Sequence, residues 1–277
     1  MSNFWQRTLT GILFVVVILG CVWAGRWPFF GLLFVINVLG LWEFTGLFNK
    51  NGYSLSRWPV LVSGISVFTL MSLVVYSIID ATWLYLTPLL FILFIIELFR
   101  AKNNPLTNIG LGITAIVYIS VPLALFIYIS NIAFEYTPFL AMTCFLLIWA
   151  SDTFAYLAGR AFGKTPLFTR ISPKKTWEGF AGGVIGAIGV SLILAYYSPS
   201  YKWTELTGLA LIFAVFGTLG DLVESMLKRS LNVKDSGNIL PGHGGILDRF
   251  DALLFSMPFA FVYIFIKMMV EFWNFKV

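Results

Sequence analysis

Nine stretches of this chain are each long and apolar enough to cross a bilayer: 8–25, 28–48, 58–79, 83–100, 107–130, 137–161, 178–198, 205–229 and 250–272. A membrane helix needs about 20 mostly apolar residues. Barrel strands would instead alternate polar and apolar over about 10 residues, and these stretches do not. A bilayer offers the backbone no water, so only helices or closed barrels can span it. The expected fold class is therefore all-α, a polytopic integral membrane bundle of about nine transmembrane helices. Composition agrees, at 59% hydrophobic and 11% charged, against about 25% charged in a soluble domain. No polar tail or long linker marks off a soluble domain. Residues 1–135 hold five spans, residues 136–277 hold four spans and the charged loops, and the two are expected to form one integral unit.

The Lys/Arg distribution orients the bundle. With the N-terminus inside, fourteen basic residues fall on the cytoplasmic side, against Arg26, Lys202, Lys267 and Lys276 outside. The expectation is N-in/C-out, in the inner (cytoplasmic) membrane. The net charge of +5 follows the cytoplasmic loops and implies no nucleic-acid partner. Residues 18–21 loosely match a lipoprotein cleavage site, but the basic end is thin and many spans follow, so an uncleaved first helix is expected. Cys21 and Cys144 lie in apolar runs, which excludes a disulfide framework and a cysteine-based metal site.

The first half is chemically quiet. Its oddity is Glu43, a carboxylate inside the second span and a functional candidate by position. It lies one to two turns from the cytoplasmic end, so a structural or snorkelling role is expected. Glu97 is spaced to pair with Arg100 at i+3.

The polar groups concentrate in the second half. Asp152 sits inside the sixth apolar run, with Tyr156 at i+4 and Arg160 at i+8 on roughly one helix face. The loop 163–179 follows, in which Ser172-Pro173 reads as a turn. Thr176 reads as an N-cap with Gly179 in place of the usual capping-box glutamate. Lys174 and Lys175 precede that helix start and favour an anion there. Gly182, Gly186 and Gly189 are spaced for close helix packing.

The segment 221–251 carries five carboxylates and the chain's only histidine. Asp221, Glu224, Ser225 and Lys228 stand at i, i+3, i+4 and i+7, a single helix stripe. Arg229, Lys234 and Asp235 extend it. In the run Pro241-Gly242-His243-Gly244-Gly245, three glycines would let backbone N–H groups approach an anion. Asp248, Arg249 and Asp251 then open the last span. Carboxylates at Asp221, Asp248 and Asp251 are hard oxygen ligands suited to Mg²⁺. Cations and a glycine loop suit phosphates. Together these are the means of phosphoryl or nucleotidyl transfer. The chain has no Walker A or GxSxG motif, and one histidine cannot build a zinc site alone. A phosphate-handling site at the cytoplasmic face, with apolar helices beneath, suits a lipid phosphate and a soluble nucleotide.

The run from Ser225 through Lys228, Arg229, Lys234, Asp235 and Pro241–Gly245 to Asp248, Arg249 and Asp251 resembles the signature of the phosphatidate cytidylyltransferases. The stretches SDTFAYLAGRAFGK (151–164) and SPKKTWEG (172–179) resemble it too. The resemblance implies that CTP and phosphatidate are the substrates, CDP-diacylglycerol and pyrophosphate the products, and Mg²⁺ the cofactor. It leaves room for a second cation and a homodimer. The lipid phosphomonoester has a second pKa of about 6 and needs little base help, so His243 becomes a phosphate or loop contact. Asp221 and Asp248, then Asp251, become metal ligands. Lys228, Arg229 and Lys234 neutralise phosphates, with Lys174, Lys175, Arg249, Ser225 and the loop glycines Gly242, Gly244 and Gly245 in support. Asp152, Glu224 and Asp235 are supporting residues. A CTP-dependent polyprenol kinase, an anion transporter and a scaffold are the rival readings. The absence of repeated interrupted helices argues against the transporter, and the charge density of 221–251 argues against the scaffold.

Overall fold

The computed structural model describes residues 3–80, 82–132, 135–198, 200–237, 239 and 244–276. The helices are α1 (Asn3–Trp23), α2 (Arg26–Lys50), α3 (Arg57–Val75), α4 (Thr82–Arg100), α5 (Pro105–Ala115), α6 (Val121–Ser130), α7 (Pro138–Phe162), α8 (Trp177–Tyr197), α9 (Trp203–Ser230) and α10 (Leu247–Lys276). A π turn, Ile116–Ser120, joins α5 to α6, so these two make one span. All nine expected spans are helical, with ends shifted by a few residues. Seven of the described helices are long and apolar enough to cross a membrane. The protein is a multi-pass membrane protein.

Two prolines mark where the fifth span begins and where it deforms. Pro105 stands in the first turn of α5, where a missing N–H costs nothing. Pro122 follows the π turn. It cannot donate to the carbonyl four residues back, and its ring would clash with it. The wider turn just before it relieves that conflict.

The chain forms two compact units, residues 1–138 with 230–250, and residues 139–229 with 251–277. The segment 230–250 clusters with the first unit, and 251–277 with the second.

In the first unit, α2 contributes twelve buried residues. Phe29 packs edge-on against Phe126 at 5.1 Å, and Phe30 stacks on Phe68 at 5.4 Å. The buried Ser120 hydroxyl donates to Asn37 at 2.8 Å, tying the π turn to α2. A Cβ at Gly64 would land 2.6 Å from a Leu41 methyl and 2.8 Å from the Ser120 Oγ, so a side chain there would displace Leu41 or the Ser120 hydroxyl. The expected Glu97–Arg100 pair is present at 2.6 Å. Asn108 donates to the other Glu97 oxygen at 2.6 Å, and Arg100 donates to the Ser54 carbonyl at 2.8 Å.

In the second unit, small residues bring α7 and α8 together. A Cβ at Gly182 would overlap Ala158, one at Gly183 would meet the Ser151 carbonyl at 2.9 Å, and one at Gly186 would overlap Phe154. Gly189 has nothing within 4 Å, so the expected packing stripe runs through Gly183 instead. On α9, a Cβ at Gly220 would meet Phe255 of α10 at 2.7 Å, and Phe216 stacks on Phe259 at 3.6 Å.

The loop between α7 and α8 contains a hairpin that an all-α reading does not anticipate. Strands β1 (Pro166–Phe168) and β2 (Ser172–Thr176) pair antiparallel. Ser172-Pro173 belongs to β2 and not to the turn, which runs over 169–171.

Gly182→Ala is expected to destabilise the protein by about 1–3 kcal/mol through overpacking. Gly189→Ala should be neutral or stabilising, because it gains helix propensity and meets nothing. Thermal unfolding of the two variants in detergent checks the contrast.

Candidate functional site

A cavity of about 460 Å³ opens in the second unit among α7, the hairpin, the start of α8 and α9. That volume lies within the roughly 300–1,000 Å³ usual for small-molecule sites. Asp152, Tyr156 and Arg160 all line it, as their shared helix face predicts. Lys174 and Lys175 enter from β2, and Thr218 and Asp221 from α9. Two carboxylates and three cations thus line one cavity, with Phe180 and Leu167 among its apolar lining.

The hairpin brings the lysines there. Thr176 is the N-cap of α8, its hydroxyl accepting from the Gly179 N–H at 3.1 Å, as expected. Glu178 accepts the backbone N–H groups of Lys164 at 3.1 Å and Thr165 at 3.2 Å. The first helical turn of α8 therefore holds both ends of the hairpin. Glu178 escaped notice because a glutamate in a basic loop reads as solvated.

Lys175 contacts Asp221 at 2.6 Å. The Ser225 hydroxyl donates to the other Asp221 oxygen at 3.3 Å, and Lys228 pairs with the buried Glu224. The i, i+3, i+4, i+7 stripe thus resolves into two i, i+4 pairs, Asp221 with Ser225 and Glu224 with Lys228. Asp251 is partly buried and lies in electrostatic reach of Asp221, Glu224 and Asp152. Arg229 is exposed. Among the described residues, no three His, Cys, Asp or Glu side chains gather at metal-ligating range.

The first unit holds a second polar cluster. Glu43 is 5% exposed. It accepts from the Ser236 hydroxyl, the Ile246 N–H at 2.8 Å and the Leu247 N–H at 3.2 Å. Its role is internal hydrogen bonding, not snorkelling. One oxygen of Asp248 accepts from the Ser236 N–H at 3.1 Å and the Gly245 N–H at 2.8 Å, and lies 3.0 Å from the Ser236 Oγ, whose single proton goes to Glu43. This corrects the reading of the glycine loop at Gly245. Its amide, with the two that follow, already meets carboxylates of the protein itself. Gly244 has φ +81°, a left-handed conformation natural to glycine, and turns the chain into this arrangement. Lys234, Asp235 and Arg249 are exposed. Gly242 and His243 lie outside the described residues. Ser236, which links both carboxylates, gave no sequence signal beyond its place in a loop.

The cytidylyltransferase family model matches residues 5–267. A phosphatidate cytidylyltransferase of Bacillus subtilis (strain 168) is 36% identical over 266 residues, covering 94% of this chain and 97% of the relative. One of Staphylococcus aureus (strain COL) is 36% identical over 258 residues, covering 91% and 95%. One of Staphylococcus epidermidis (strain ATCC 12228 / FDA PCI 1200) is 34% identical over 261 residues, with the same coverages of 91% and 95%.

Removing the cap with Thr176→Ala should cost about 1 kcal/mol, or about fivefold in local opening. Hydrogen exchange at the start of α8 is the measurement, and it should quicken there while α10 stays unchanged.

Proposed function

The chain belongs to the cytidylyltransferase family, and we propose that it transfers CMP from CTP to phosphatidate at the cytoplasmic membrane face, releasing pyrophosphate. The enzyme class, phosphatidate cytidylyltransferase, and a place in phospholipid biosynthesis follow from that membership. The observation that carries the finer reading is the cavity that Arg160, Lys174 and Lys175 line together with Asp152 and Asp221. Cations alone would suit any anion. Cations interleaved with carboxylates suit phosphates that arrive with a divalent ion. The excess of Lys/Arg in the loops on that side supports the cytoplasmic orientation.

In this reading the phosphate oxygen of phosphatidate attacks the α-phosphorus of CTP. The new P–O bond forms as the bond from the α-phosphorus to the bridging oxygen breaks, and pyrophosphate leaves with that electron pair. The phosphomonoester is largely dianionic at neutral pH, so no protein base is required. Lys174, Lys175 and Arg160 bind and orient the phosphates. Lys175, drawn to Asp221 at 2.6 Å, is held where the charge must be neutralised.

Magnesium fits the donor set. Mg²⁺ is ordinarily held by one or two carboxylates, with substrate phosphates and water completing its shell. Asp221 has a 41% exposed side chain, and its carboxylate oxygens and those of Asp251 are hard donors in the second unit. When bound, Mg²⁺ would supply charge neutralisation on the transferring phosphates. Asp248 belongs to the first unit and stays among the catalytic residues on the strength of the signature.

Purified protein incubated with phosphatidate, Mg²⁺ and α-labelled CTP should place label in lipid and release pyrophosphate. Release of CDP with unlabelled lipid would instead indicate a kinase, and no transfer by folded protein would sink the proposal. Asp221→Asn should lower turnover by about 100-fold or more, the scale of losing a preorganised electrostatic group. His243→Ala should cost less than about tenfold, because general-base help contributes typically 10²–10⁴-fold where it operates.

A further inference from the structure

Glu43 calls for an explanation that packing does not supply. A buried carboxylate in a membrane-spanning helix is costly unless its charge is met. Here it is met by donors from one short segment, namely the Ser236 hydroxyl and the N–H groups of Ile246 and Leu247. Those amides open α10, where the first N–H groups have no partner within the helix and the helix dipole favours a negative charge. Glu43 therefore caps α10 from α2, about two hundred residues earlier in the chain. All three partners donate, so a carboxylate matches them with acceptors alone. A glutamine would turn its NH₂ toward at least one donor.

Two glycines make room for it. A Cβ at Gly245 would overlap the Glu43 carboxylate and the Ser236 Oγ, and one at Gly237 would meet the Glu43 carboxyl carbon at 2.8 Å. The Ser236 hydroxyl that touches Glu43 is also 3.0 Å from Asp248. Asp248 is further fixed by the Gly245 N–H, immediately before the amides that Glu43 holds.

We infer that Glu43 is a positioning residue for the reaction, holding Ser236 and the first amides of α10 so that Asp248 keeps one orientation. The inference rests on the nucleotidyl-transfer reading for the role of Asp248, and on geometry alone for the anchoring. A helix of the chemically quiet half thereby sets a residue of the signature.

The test uses the full-length protein in detergent, its Glu43→Gln and Ser236→Ala variants and the double variant. Hydrogen-exchange mass spectrometry should show peptides over 236–248 of Glu43→Gln exchanging about tenfold faster, with α3 and α6 unchanged. Turnover per folded molecule with CTP, phosphatidate and Mg²⁺ should fall about 10–100-fold, the usual loss on removing a residue that orients a ligand-bearing side chain. Both KM values should stay within about threefold. The double variant should cost little more than the worse single variant, because both act along one path. A purely structural role would lower the unfolding temperature and the folded yield while leaving kcat per folded molecule within about twofold of the parent. That outcome, or unchanged exchange over 236–248, overturns the inference. A parent protein that labels no lipid overturns the nucleotidyl-transfer reading and the catalytic half of this inference. The exchange comparison then still decides the anchoring.

Discussion

Every polar group in a chain this apolar must find its partner inside the protein or at the membrane surface, because the bilayer core supplies none. That constraint makes the spans helical, and it also governs the side chains. Asn37 and Ser120 meet at 2.8 Å in the buried part of the first unit. Glu97 is met by Arg100 and Asn108, both at 2.6 Å. Glu43 is met by a hydroxyl and two amides. Asn37 and Glu43 thereby tie elements far apart in sequence, and Glu97 ties α4 to the neighbouring α5. A bilayer gives apolar side chains little reason to prefer one neighbour over another, so such ties do much of the specifying.

In the second unit the same constraint is met at an open cavity, with a different result. Lys175 pairs with Asp221, whose side chain remains well exposed, and Asp152 and Arg160 line the cavity with them. An exposed ion pair contributes little to stability. Its value, in the proposed reaction, is that it stations a cation and a carboxylate together in the cavity. The glycine contacts between α7 and α8 serve that end too, since close approach of these helices brings the hairpin against the face that carries Asp152 and Arg160.

The fold was legible in the sequence to the extent that it is one-dimensional. Apolar runs near 20 residues give span and helix together, and Thr176 is recognisable as a cap from its immediate neighbours. The Asp152–Tyr156–Arg160 face and the Asp221–Lys228 stripe follow from helical period alone. What stayed hidden depends on partners distant in the chain. The hairpin is stabilised by Glu178, whose contacts lie thirteen and fourteen residues away, and short strands carry no period to detect. Glu43 was visible as an oddity. Its meaning was not, because its donors are main-chain N–H groups, which leave no mark in a sequence.

Gly244 and Gly245 show why such hidden partners matter for reading motifs. A glycine-rich run beside basic residues suggests amides open to phosphate, and that inference assumes that the anion comes from outside. In this protein the anions at Gly245, Ile246 and Leu247 are Asp248 and Glu43. The glycine is still required, since any side chain at Gly245 would overlap Glu43, but the requirement is architectural. A motif's small residues report that something approaches closely. Whether that something is a ligand or the protein's own carboxylate is decided by the charge found opposite the amides, and a lone acid in a distant membrane helix is the first place to look for it.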